Sequence, residues 1–81
     1  MKTKMTVLRG LKLREYRKNK KLSLRQMADL VSKKLGRDVS YASINRYENG
    51  SACDMDVLIA ICSILDVDAL KLLEECMNEA A

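Results

Sequence analysis

Apolar residues recur along this chain at helical spacing, and polar turn residues interrupt the pattern. The clearest run is Leu24, Met27, Ala28, Val31 and Leu35, at i, i+3, i+4, i+7 and i+11, which is one stripe of an α-helix. Ser23 and Gln26 form an S-x-x-Q capping box at its start, and Gly36 stops it. The spacing therefore predicts a helix of about 12 residues, ~18 Å long, with Leu22 placed to staple onto Met27. Upstream, Leu13 and Tyr16, joined by Leu8 or Val7, predict a first helix from a Thr6 cap to about Lys18. Gly10 weakens its early turns by ~1 kcal/mol relative to Ala. Downstream, Asp54 precedes Val57, Leu58, Ile61, Cys62 and Leu65, with Ile59 and Ile64 broadening the stripe, which predicts the most buried helix. After a break at Asp66-Val67, Asp68 caps a last helix over residues 69–78. That helix carries two stripes, Leu70/Leu73/Met77 and Leu72/Cys76. One packs on the domain; the other is left for a partner, and the dimer contact is expected at Leu72 and Cys76. Residues 1–5 are basic and unpatterned and read as a flexible tail ahead of one domain over residues 6–81.

Between the second and fourth helices lies Val39 to Gly50, reading Val-Ser-Tyr-Ala-Ser-Ile-Asn-Arg-Tyr-Glu-Asn-Gly. Ser40 caps it, Gly50 ends it, and Ile44 and Tyr47 share its inner face. Tyr41, Ala42, Asn45, Arg46 and Asn49 fall on the other side. A phenol, a methyl, an amide and a guanidinium together suit the edges of bases in a major groove. A solvated surface helix carries more Lys and Glu, so the rest of the chain has to decide between these readings.

Charge changes the balance. Residues 1–46 hold 14 Lys or Arg against three acids, a net +11, while residues 47–81 hold one Lys against eight acids, a net −7. One half is built to meet a polyanion and the other to stay off it. No helix combines a basic face with a strongly apolar one, which places nucleic acid ahead of a membrane surface. With no Pro, Trp or Phe and only three Gly among 81 residues, the composition is that of one small all-helical domain. Three cysteines at wide spacing and no His leave no usual zinc set, and Cys62 lies on an apolar stripe. No cofactor and no small-molecule ligand is indicated. The start lacks the apolar run of a signal peptide, so the expected compartment is the cytoplasm.

These pieces resemble the Cro/lambda-repressor-like (Xre-type) helix-turn-helix family over about residues 11–73. The resemblance rests on Leu13-Arg-Glu-Tyr-Arg17, on Leu22-Ser23 followed by Met27-Ala28, on Ser43-Ile-Asn-Arg-Tyr-Glu-Asn-Gly50, and on the fourth helix through Leu65-Asp-Val-Asp-Ala-Leu70. It implies a compact five-helix DNA-binding domain. It places Tyr41, Ala42 and Arg46 where family members read bases, with Asn45 beside them, and makes Ser43 and Asn49 candidates for backbone contact. Arg17 and Glu48 match a pair that the family uses as a salt bridge between its first and recognition helices. Two departures stand out. The segment from Ala28 to Ile44 is longer than the usual pattern, which implies a lengthened second helix and a looser turn. Leu24 stands where a phosphate-binding Gln is frequent, leaving that contact to Arg25, and Lys21 stands where Gly is frequent.

The function expected is a small regulator of transcription that binds double-stranded DNA in a sequence-specific way, a repressor or autoregulator acting as a homodimer on a palindromic operator. Lys20, Lys21, Ser23, Arg25, Lys33, Lys34, Arg37, Ser43 and Asn49 would position it on phosphates. With no room for a second effector domain, the chain is expected to be Cro-like, restriction-controller-like or antitoxin-like. The alternative is a protein-interaction module on the same scaffold, an adaptor or antitoxin-type partner binder. An enzyme lacks support, since there is no glycine-rich phosphate loop and no paired acid set.

Overall fold

In the computed structural model, which describes residues 2–80, Thr3 rather than Thr6 starts the first helix. The Thr6 amide donates to Thr3 Oγ1 at 3.1 Å and the Thr3 amide donates to Thr6 Oγ1 at 2.8 Å. This reciprocal box moves the start of α1 to Lys4, and α1 runs to Asn19. Met5, expected in a loose tail, packs against the core. Met1 and Ala81, the ends of the expected tail and domain, lie outside the described residues.

Four more helices follow: α2 (Leu24–Leu35), α3 (Tyr41–Glu48), α4 (Met55–Ile64) and α5 (Ala69–Ala80). No strand occurs among the described residues, so the expected all-α five-helix architecture is the one observed. The second helix has the length its stripe predicts, and both Ser23–Gln26 bonds of its capping box form, at 3.0 and 2.8 Å. Asp68 caps α5, accepting from the amides of Leu70 and Lys71. Asp54 occupies the start of α4 but makes no capping bond; the adjacent carboxylate of Asp56 takes its own neighbour's amide, Val57, at 2.8 Å.

The first four helices end alike. A residue with positive φ follows the last turn, and the amide beyond it reaches back five residues, as Leu22 does to the Arg17 carbonyl and Val67 to the Cys62 carbonyl. This left-handed ending saturates carbonyls that a helix otherwise leaves free. Gly36 and Gly50 take the position in α2 and α3, whereas Lys21 and Asp66 take it in α1 and α4 with φ of 58° and 57°.

α1 lies against α3 and α5, and α2 lies against α3 and α4. The core between them is Leu13, Met27, Val31, Ile44, Val57, Leu58, Ile61, Leu65, Leu72 and Cys76, all essentially solvent-free. Two expectations are corrected here. Leu72 and Cys76, expected at a dimer contact, face this core, because α5 is turned with that stripe toward α1. The solvent-facing stripe is the other one: Leu70 and Met77 are 72% and 59% exposed, with Leu73 partly covered. Ile59 does not broaden the core face of α4 but is 53% exposed.

Candidate nucleic-acid interface

The inner residues of α3 decide how its outer face stands. Ile44 is buried in the core, and Glu48 is buried against α1. Arg17 Nε donates to Glu48 Oε2 at 2.6 Å and Arg17 Nη2 donates to Oε1 at 3.0 Å. This two-pronged, charge-assisted pair is the geometry for which a guanidinium fork and a carboxylate are matched. The remaining Arg17 nitrogen donates to the Leu22 carbonyl at 2.7 Å. Arg17 thus ties α3, α1 and the loop before α2 together.

Arg14 adds a second cation that sequence reasoning missed. Its Nε lies 3.4 Å from Glu48 Oε1 and its Nη2 donates to Asn49 Oδ1 at 2.6 Å. The sign was present: Arg14 sits three residues before Arg17 and shares its face of α1. Arg9 was also missed. It is 6% exposed, and its Nη2 donates to the Ser51 carbonyl at 3.3 Å, holding the loop after α3 against α1. Its Nε has no partner.

Close approach of backbones completes the anchorage. A Cβ on Gly10 would stand 2.5 Å from the Glu48 carbonyl oxygen and 2.7 Å from that of Tyr47. The end of α3 therefore rests directly on the backbone of α1, at a place where only glycine fits.

The other end of α3 is set by the turn from α2. Gly36, with φ of 70°, lets the chain leave α2. Ser32 Oγ then accepts from the Val39 amide at 2.9 Å and donates to the Val39 carbonyl at 3.2 Å. Ser40 caps α3 by accepting from the Ser43 amide at 3.2 Å. The lengthened connection was expected to be loose; Ser32 pins it instead.

With both ends held, Tyr41, Ala42, Asn45, Arg46 and Asn49 all face solvent together, while Ser43 is half-buried. They are interlinked: Arg46 Nη2 donates to Ser43 Oγ at 3.0 Å, and Asn49 Nδ2 donates to Asn45 Oδ1 at 3.4 Å. Arg25, near the start of α2, lies with its Cζ 4.7 Å from the centre of the Tyr41 ring. This is a face-on contact between a cation and an aromatic ring.

Seven of the nine residues expected on phosphates fall in two groups at opposite ends of α2, while Ser43 lies in α3 and Asn49 caps its end. Lys20, Lys21, Ser23 and Arg25 flank the start of α2, and Lys33, Lys34 and Arg37 flank its end. Lys20 is tied to Asp66 at 2.8 Å and Arg37 to Asp56 at 2.8 Å, both in solvent, where such pairs exchange readily. Lys21, Arg25, Lys33, Lys34 and Arg46 have no ion-pair partner among the described residues. The loop between α3 and α4, residues 49–54, holds no Lys or Arg. The cations that border α3 in the chain are thus on its α2 side.

The cysteines belong to packing. Burial pushes the Cys53 thiol up to about 11, with Arg9 pulling weakly the other way. Burial also raises Cys62 and Cys76, so these groups stay neutral thiols at ordinary pH. No group of three His, Cys, Asp or Glu side chains is placed to hold a metal ion among the described residues, and no helix there is long and apolar enough to cross a membrane.

A helix that enters from a pinned turn behind α2, is locked by a buried ion pair and presents five polar or small side chains has the form of the second helix of a helix-turn-helix. The sequence pattern of the helix-turn-helix family matches residues 13–72. That is most of the chain, from the core of α1 into α5, and the chain belongs to this DNA-binding family, in its Cro/lambda-repressor-like (Xre-type) branch. No curated protein and no solved structure matches it.

Proposed function

We propose that this chain is a sequence-specific repressor or autoregulator that binds a palindromic operator as a homodimer, with α3 of each subunit in the major groove. The observation that carries this reading is the outer face of α3, five exposed side chains able to donate, accept or contact a methyl, fixed by Arg17 and Glu48. In it, Arg46 reaches guanine, the Ala42 methyl meets a thymine methyl, and Asn45 and Tyr41 read neighbouring edges. Lys20, Lys21, Ser23, Lys33, Lys34, Arg37, Ser43 and Asn49 contact phosphates on either side. Two copies joined through the solvent-facing stripe of α5 would present their α3 helices to successive major grooves, ~34 Å apart.

Selection of bound sequences from a random duplex pool tests the reading. The expected result is a two-fold symmetric site whose binding weakens with salt by about 0.9 log units per log unit of salt for each phosphate neutralised. Arg46→Ala should abolish the preference at one base pair in each half-site. It should lower affinity for the selected site by roughly 5- to 150-fold, the equivalent of ~1–3 kcal/mol, and leave the salt slope in place. Enrichment of no sequence, or binding that ignores ionic strength, would count against the whole reading. Transcription from a promoter carrying the selected site, measured with and without the protein, separates repression from activation.

A further inference from the structure

We propose that Arg25 is a reader of guanine rather than a phosphate anchor, and that Tyr41 is the platform that positions it. The pair then acts as one specificity-determining unit joining the starts of α2 and α3. This inference rests on the function proposed above.

Three observations converge on it. Arg25 Cζ stands 4.7 Å from the centre of the Tyr41 ring. The ring contact engages the cation without using a hydrogen bond, and none of the N–H donors of Arg25 is taken by a hydrogen bond among the described residues. Asp29, one turn along α2 and the ordinary i+4 partner for an arginine, does not take the charge: Arg25 has no ion-pair partner among the described residues. Finally, the two helix starts cannot drift apart. The Ser23–Gln26 box fixes one, Ser40 fixes the other, and Ser32 clamps Val39 between them.

The result is a guanidinium held against Tyr41, the first residue of α3, with its N–H donors unengaged. Guanine offers two acceptors, O6 and N7, that match the guanidinium fork, and no other base does so in the major groove. A lysine at this position would keep the charge but lose both the plane and the fork.

Site selection and salt titration on wild type, Arg25→Lys, Arg25→Gln, Tyr41→Phe and Tyr41→Ala test the assignment. Wild type is expected to require a guanine at a base pair distinct from the one that Arg46→Ala releases. Arg25→Lys, Arg25→Gln and Tyr41→Ala should each release that same guanine, weakening the selected site about 10- to 100-fold with an unchanged salt slope. Tyr41→Phe retains the ring and should retain the guanine. Both side chains lie at the surface, so melting curves should stay close to wild type; if Arg25→Gln melts early, Arg25→Lys carries the test, and if Tyr41→Ala melts early, Tyr41→Leu, which keeps bulk without an aromatic face, takes its place. The assignment is overturned if Arg25→Gln weakens all sequences evenly and lowers the salt slope by about one, the behaviour of a phosphate contact. It is also overturned if Tyr41→Ala leaves the guanine preference intact. In both cases wild type still selects a site, so the parent reading survives. A wild type that enriches no sequence overturns both together.

Discussion

At Gly10, helix propensity and packing pull in opposite directions. In an isolated helix, alanine is better than glycine by ~1 kcal/mol. In this fold, the added methyl would meet the carbonyl oxygens of Glu48 and Tyr47 at 2.5 and 2.7 Å, and both belong to backbone that cannot swing aside. Gly10→Ala should therefore destabilise the protein by ~1–3 kcal/mol, the usual range for overpacking, as read by urea denaturation. A more stable variant would mean that α1 and α3 are not in this contact. Lys21 presents the opposite case. It holds φ of 58°, a conformation that costs a residue with a Cβ roughly 1–2 kcal/mol. Lys21→Gly should recover part of this, a net gain of about 0.5–1 kcal/mol after the added freedom of the unfolded chain. Because Lys21 is also a proposed phosphate contact, the same variant should bind DNA with a salt slope shallower by about one per subunit. Stability and binding then move in opposite directions, which a purely structural role for Lys21 does not produce.

At the scale of the helix, α3 is too short to be stable alone. Eight residues fall below the ~12–15 at which isolated helices become even marginal in water, so its form and direction come from its neighbours. Glu48 is the main tether. It is 4% exposed and receives both Arg17 and Arg14. Glu48→Ala would leave a buried guanidinium without its counter-charge, and loss of one member of such a pair typically costs ~3–5 kcal/mol. The expected outcome is a large fall in the denaturation midpoint. Where the helix is still populated, at low temperature, selectivity among DNA sites should fall further than general affinity does. Equal stability of wild type and variant would show that the pair is dispensable. The turn before α3 acts the same way from the other end, since Ser32 replaces by two hydrogen bonds the constraint that a shorter turn would supply by its length.

On the scale of the whole molecule, the acids of α5 are engaged in part by Lys12 of α1, which lies 3.2 Å from Glu79 and 3.8 Å from Glu75. Association is argued at this scale. Leu70 and Met77 are among the most exposed apolar side chains of the protein, on a helix whose opposite stripe is sealed in the core. Replacing both with glutamate should leave folding unchanged, since neither is packed, and convert a dimer to a monomer in sedimentation at micromolar concentration. Palindromic sites should then be bound no more tightly than two independent half-sites. A wild type already monomeric when bound to its selected site would remove the homodimer from the proposed function.

How much of this was legible beforehand differs with the type of interaction. Stripes and caps are local, and they placed α2, α3, α4 and α5 and the five outward residues of α3 by spacing alone. The pairing of Arg17 with Glu48, separated by 31 residues, came through from the family pattern. Arg9, Arg14 and the role of Gly10 did not, because each depends on which backbone or side chain crosses α1, and no periodicity records that.

The sequence by itself determined the elements, the split of charge and the outward face of α3, because hydrophobic period, capping chemistry and net charge are properties of neighbouring residues. Only the tertiary structure decided which stripe of α5 is buried, that the long turn is pinned by Ser32, and that Arg25 lies over Tyr41. Each of these follows from the relative placement of helices, and that placement is set by close packing of side chains distant in the chain.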